Sequence, residues 1–133
     1  MPRKNSLLIV DDEVNVTRTL QMVFEQEGYR VFPAYSSAQA VELLQNGASV
    51  DGVITDLNME QPDIGLEVAR FAKGLPSKPV VVICTGFADV NNARQALLMH
   101  VDYLANKPVD LGELTGAVRR LIEHRAVLRR GRK

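Results

Sequence analysis

Five apolar runs alternate with five amphipathic stretches along the 133-residue chain. The alternation predicts an α/β protein, with a doubly wound, five-stranded parallel sheet held between two layers of helices. The runs are continuously apolar rather than alternating, which suits strands covered on both faces. Polar groups follow four of the runs: Asp11 and Asp12, Asp56, Thr85, and Lys107. In a parallel sheet these groups meet beyond the carboxyl edge, where doubly wound sheets bind their ligands.

The elements follow in order. Leu7 to Val10 is the first strand. Val16, Leu20, Val23 and Phe24 then recur at helical spacing and stop at Gly28. Tyr29 to Pro33 is a short second strand. Ser36 with Gln39 forms a capping box that opens a helix with Val41 and Leu44 inward, and Asn46-Gly47 closes it. The third strand, Gly52 to Thr55, ends in Asp56. A loop from Asn58 to Ile64 leads to a helix carrying Leu66, Ala69 and Phe71, which stops near Gly74-Leu75-Pro76. The fourth strand, Val80 to Cys84, ends in Thr85-Gly86. Asp89 caps a fourth helix holding Ala93, Ala96 and Leu97. Val101 to Ala105 is the fifth strand and leads into Asn106, Lys107 and Pro108. A second capping box, Asp110 with Glu113, opens a long fifth helix with the stripe Leu111, Leu114, Val118, Leu121 and Ile122. Each crossover is expected to be right-handed.

The length suits one domain with a real core. Hydrophobic residues make up 46% of the sequence, ordinary for a globular protein. The longest apolar run is about five residues, against the roughly 20 needed to cross a bilayer. The Leu7 run is also too short for a signal-peptide core. A cytoplasmic protein without membrane contact is the expectation. The single cysteine, Cys84, fits a reducing compartment and reads as buried packing. Net charge is zero, but residues 124–133 carry five basic residues and no acid. The body is mildly acidic and the tail basic.

Asp11, Asp12 and Asp56 side by side repel one another unless a cation intervenes. Magnesium suits such a set, because it prefers oxygen ligands and keeps some waters. No His or Cys lies at a polar strand end, which argues against zinc or copper. A lone strand-end Asp is more often a helix cap, but three acids with Thr85 and Lys107 outweigh that reading. Asp56 stands alone on the central strand and is the candidate nucleophile, since a carboxylate can accept a phosphoryl group as an acyl phosphate. Lys107 supplies an ammonium and Thr85 a hydroxyl toward phosphoryl oxygens.

With these residues the chain resembles the receiver domain of bacterial two-component response regulators, of the chemotaxis-regulator type. The residues carrying the resemblance are Asp11-Asp12-Glu13, Asp56-Leu57-Asn58-Met59, Thr85-Gly86 and Lys107-Pro108, and it covers about residues 5–125. The resemblance implies a flavodoxin-like three-layer sandwich with strand order 2-1-3-4-5. It implies phosphorylation of Asp56 by a sensor histidine kinase or a histidine phosphotransfer protein. It also implies Mg2+, or Mn2+ in its place, held by Asp12, Asp56 and the Asn58 backbone carbonyl, with Asp11 acting through water. Lys107 then pairs with the phosphoryl group, and Thr85 turns toward it and biases the face of the fourth helix, fifth strand and fifth helix. Such a protein is a phosphoacceptor rather than an enzyme, with only self-catalysed transfer and autodephosphorylation.

Two departures from the family pattern stand out. An aromatic residue commonly lies three positions before the lysine; here Leu104 lies there and Tyr103 one earlier. Either Tyr103 takes the role through a local bulge, or Leu104 occupies the position and the aromatic step is altered. The family's glycine commonly lies eight residues after the aspartate, whereas Gly65 lies nine after Asp56. The extra residue is expected to bring Glu60 or Gln61 beside the attacking water and to change the acyl phosphate lifetime.

Residues 1–125 are therefore expected to form the receiver, with 126–133 as a basic helical extension or tail. That tail reads as a solvated helix end or the start of a linker to an output domain. No aromatic platform or second fold accompanies it to support nucleic-acid contact. A homodimer through the fourth-helix face is a further expectation, with Arg94, Asp102, Arg119 and Glu123 available for cross-subunit ion pairs. The competing readings are weaker. A haloacid dehalogenase-type phosphatase wants Asp-x-Asp after the first strand, and here Glu13 stands two places after Asp11. A flavodoxin-like cofactor binder wants a phosphate loop where this chain has acids.

Overall fold

The computed structural model describes residues 4–47, 49–59, 61–86, 94 and 100–130. Among these the order is β1 (Ser6–Val10), α1 (Val14–Gln26), β2 (Arg30–Ala34), α2 (Ser37–Gln45), β3 (Gly52–Asp56), α3 (Gly65–Lys73), β4 (Val80–Thr85), β5 (Tyr103–Asn106) and α4 (Leu111–Arg130). The helix predicted behind Asp89 lies outside the described residues, so the fifth helix of the sequence pattern is α4 here. All pairings are parallel and the sheet order is β2-β1-β3-β4-β5. The expected fold is therefore present, with β1 and β3 side by side at the centre.

The sheet separates two apolar layers. Leu8, Val10, Val53, Val81 and Ile83 face α2 and α3. Leu7, Ile9, Ile54, Val80, Val82 and Cys84 face α1 and α4. Alternate residues of each strand thus serve opposite layers, and both are buried, which is why the strands read as unbroken apolar runs. Phe24, wholly buried, meets Tyr29 edge-to-face at 5.6 Å and closes the turn from α1 into β2. Gly28 stands in that turn at φ 97°, a left-handed conformation that a side chain disfavours.

The capping signals take physical form. The Ser36 hydroxyl accepts the Gln39 N–H at 3.1 Å, and the Gln39 amide oxygen accepts the Tyr35 N–H at 2.8 Å. Asp110 accepts the Glu113 N–H at 2.9 Å and starts α4. That helix continues unbroken past residue 125 to Arg130.

Two aspartates just ahead of strands lace the amino edge of the sheet. Asp51 donates its N–H to the Ser6 carbonyl at 2.7 Å, and its carboxylate accepts the Ser6 N–H at 2.8 Å. Asp102 repeats the arrangement with Val81, at 2.8 Å for each bond. Because a side chain takes over pairing there, β5 starts at Tyr103 and not at Val101, where the apolar run begins. The second Asp102 oxygen accepts Arg125 at 3.0 Å, and Arg125 also donates to the Lys78 carbonyl. Both Asp102 oxygens are therefore used within the chain, contrary to the expectation that Asp102 serves a cross-subunit pair. Arg125, which composition assigns to a basic tail, clamps α4 to the starts of β4 and β5.

Removing the Asp102 carboxylate strands the Val81 N–H and leaves Arg125 only the Lys78 carbonyl. Asp102→Ala is expected to lower unfolding stability by about 2 kcal/mol in urea titration. Arg125→Ala, a partly exposed partner, is expected to lose about 1 kcal/mol.

Candidate functional site

The ends of β1, β3, β4 and β5 lie together at the carboxyl edge. Asp56 is the last residue of β3 and pairs in register with Cys84 of β4. The strand ladder continues one bond beyond it, from the Leu57 N–H to the Cys84 carbonyl at 2.9 Å, which fixes the direction of the Asp56 side chain. Asp11 follows β1 directly and is tied to β2 by its N–H on the Ala34 carbonyl at 3.1 Å. Lys107 follows β5, with its N–H on the Thr85 carbonyl at 2.8 Å. One carboxylate oxygen each from Asp11, Asp12 and Asp56 lies within 4.8 Å of the others, a group able to hold a metal ion.

Lys107 places its ammonium 3.1 Å from Asp56 Oδ1 and 3.4 Å from Asp11 Oδ2. Asp11 and Asp56 are only 2% and 8% exposed, so the pairing is shielded from water. Burial is the main influence on Asp56 and raises its carboxyl above the ordinary carboxylate range; the Lys107 hydrogen bond opposes this and the Asp11 charge adds to it. Burial alone would lower Lys107, but the Asp56 hydrogen bond and the Asp11 charge outweigh it and raise the ammonium above its usual range. The two directions agree: Lys107 gains two acids, while Asp56 gains one base at the cost of its water. Cys84, behind Asp56, is pushed up to about 12, chiefly by burial, and stays a thiol.

The sequence-derived site residues fall into two groups. Asp11, Asp12, Asp56 and Lys107 are brought together. Thr85, 1% exposed, ends β4 one residue beyond the partner of Asp56 and pairs in register with Asn106. Asn58 stands exposed on the following loop, its side-chain oxygen accepting the Asp63 N–H at 2.8 Å. The capping alternative for Asp11 has a share of truth, because Asp11 Oδ1 accepts the Glu13 N–H at 2.9 Å. The carboxylate turns one oxygen to the helix and the other to Lys107.

Both departures have structural answers. Tyr103 to Asn106 pair with Val82 to Thr85 in unbroken register, so no bulge shifts Tyr103. Leu104 occupies the position three before Lys107 and packs toward the α2–α3 layer, while Tyr103 joins the α1–α4 layer. The extra loop residue is absorbed before α3, with Asp63 at φ 62°. Gly65 then donates its N–H to the Leu57 carbonyl at 2.8 Å. A Cβ on Gly65 would run into the Asp56 carbonyl and stand 2.8 Å from Leu57 Cα. Glu60 lies outside the described residues, and Gln61 is exposed.

Residues the sequence reading passed over also line the site. A cavity of about 450 Å3 opens beside Asp56 and Lys107, walled by Val16, Leu20, Ile54, Val109 and Leu111. The helical stripe of α1 showed Val16 and Leu20 as core, but not that they end at an opening. Thr17, wholly buried, also carries no motif signal.

Gly65→Ala is expected to cost about 3 kcal/mol in urea unfolding, because backbone rather than a movable side chain blocks the added carbon. Asp56 gives a pH signature in chain stripped of cations. Its stabilising contribution is fully present below its unfolded pKa and is lost as pH rises through the raised folded value. Asp56→Asn is therefore expected to raise the urea midpoint at neutral pH, with the gain shrinking as pH falls through the carboxylate range.

The comparisons with known proteins agree with this geometry. Residues 7–119 match the response regulator receiver domain family. Regulatory protein AtoC of Escherichia coli K12 is 31% identical over 119 residues, covering 90% of this chain and 25% of its own length. Sporulation initiation phosphotransferase F of Bacillus subtilis is 27% identical over 116 residues, covering 87% of this chain and 92% of its own. A crystal structure of a response regulator receiver domain from Clostridium thermocellum superimposes with a TM-score of 0.83 at 29% identity, covering 93% and 98%. The chain spans about a quarter of the length of the first curated relatives it matches. The acids after β1 and at the end of β3 and the lysine after β5 thus occupy a receiver fold, and the chain belongs to the response regulator receiver domain family of two-component signalling.

Proposed function

We propose that Asp56 accepts a phosphoryl group from a phosphohistidine, carried by a sensor histidine kinase or a histidine phosphotransfer protein, in a reaction that requires Mg2+. The observation that carries this reading is the meeting of three carboxylates within 4.8 Å, with Lys107 between two of them. The donor set is all oxygen, which fits a hard divalent cation. Asp12, Asp56 and the Asn58 carbonyl would hold it, with Asp11 behind them, and Mn2+ can substitute. Bound there, the cation offsets the charge of the acids and of the incoming phosphoryl oxygens.

The remaining work falls to the chain's own groups. An Asp56 carboxylate oxygen forms the new bond to phosphorus as the phosphorus–nitrogen bond of the donor breaks. Lys107, already 3.1 Å from Asp56, keeps an ammonium against the phosphoryl oxygens. Thr85 offers a hydroxyl from the end of β4.

Receiver domains act with histidine kinases and output domains. In this reading residues 1–125 are the receiver, and the basic segment 126–133 leads toward whatever the switch controls, with residues 126–130 continuing α4. The domain acts in the cytoplasm; no helix among the described residues is long and apolar enough to cross a membrane. A homodimer would use the face of the predicted fourth helix, β5 and α4, where exposed Arg94 is available; Asp102 is taken by Arg125, and Arg119 and Glu123 instead line a hollow with Glu27 and Tyr29.

Incubation with acetyl phosphate and Mg2+ is expected to add one phosphoryl group by intact mass. The gain should vanish in Asp56→Ala and in the presence of chelator. No gain by the parent under any condition would overturn the reading.

A further inference from the structure

Thr17 lies in the first full turn of α1 and is 0% exposed. A buried helical threonine ordinarily returns its hydroxyl to the carbonyl four residues back. Here that contact, to the Glu13 carbonyl, is the longer one at 3.3 Å. The shorter, 2.9 Å, reaches out of the helix to the Asp11 carbonyl, six residues back. The same short turn is closed from its other side by Asp11 Oδ1, which accepts the Glu13 N–H at 2.9 Å. Asp12 is the residue between these two fixings. It is exposed, and the Glu13 side chain that follows makes no cap bond. The direction of the Asp12 carboxylate toward Asp11 and Asp56 is thus set by the backbone of the turn.

We infer that the Thr17 hydroxyl is a positioning residue for the cation site. By holding the Asp11 carbonyl, it fixes the Asp11–Glu13 turn and so the aim of Asp12. The inference rests on the metal-dependent reading of the acid cluster and adds to it a residue that touches neither metal nor phosphoryl group. Removing a group that orients a metal ligand typically weakens affinity about 10- to 100-fold. Thr17 acts through one stretch of backbone, so the lower end is expected.

Mn2+ serves as the probe, titrated into the full 133-residue chain and read by electron paramagnetic resonance of the free ion. Thr17→Val keeps the shape and removes the hydroxyl, while Thr17→Ser keeps the hydroxyl. The expected result is about tenfold weaker Mn2+ binding in Thr17→Val and near-parental binding in Thr17→Ser, measured well below both melting temperatures. Equal affinity of parent and Thr17→Val would overturn the inference. So would equal weakening in both variants, which would mark a packing effect. Should Thr17→Val not fold, Thr17→Ala takes its place under the same outcomes. A parent that binds no Mn2+ would instead overturn the metal reading itself, and the positioning role with it. Asp12→Ala provides the reference for a lost ligand.

Discussion

Lys107 reaches 3.1 Å from Asp56 and 3.4 Å from Asp11, and the carboxyl edge is arranged around that ammonium. Two largely buried acids beside a third would drive one another toward protonation and loosen the loops that carry them. Lys107 lies against both carboxylates and offsets part of that charge. The raised Lys107 follows from two acids on one base, and the raised Asp56 chiefly from its burial, which the Lys107 hydrogen bond only partly offsets. The residual negative charge is what a divalent ion would relieve.

The backbone around Asp56 is correspondingly unforgiving. β3 brings the aspartate to the edge, the Leu57 N–H continues the ladder on Cys84, and Gly65 presses directly on the Asp56–Leu57 peptide. The loop between is free to lengthen by one residue because its two ends are fixed by these contacts.

Much of this was legible in the sequence, for a definite reason. Strands buried on both faces must be apolar throughout, so β1, β3 and β4 announce themselves. A polar residue ending such a run can only lie at the sheet edge, which is why Asp11, Asp56, Thr85 and Lys107 could be placed together. What escaped depends on side chains that substitute for backbone. Asp102 completes a strand pairing and moves the start of β5 by two residues, and nothing in its neighbours signals this. Thr17 looks like any helical threonine, because its acceptor lies outside the local spacing that patterns record. Arg125 reads as one more basic residue of a charged tail until Asp102 and the Lys78 carbonyl are seen beside it. The choice between Tyr103 and Leu104 needed the β4–β5 register, which a sequence pattern leaves open by one residue.

The clamp at Arg125 turns α4 into a strut. Its 20 residues give a rod of about 30 Å. It begins four residues after Lys107, beside the acid cluster, and is pinned near its far end at the opposite edge of the sheet. A rod fixed at both ends transmits axial displacement with little loss, whereas one fixed at a single end merely tilts. A shift of the Lys107 loop along that axis would act on the Arg125–Asp102 pair at the other edge of the sheet.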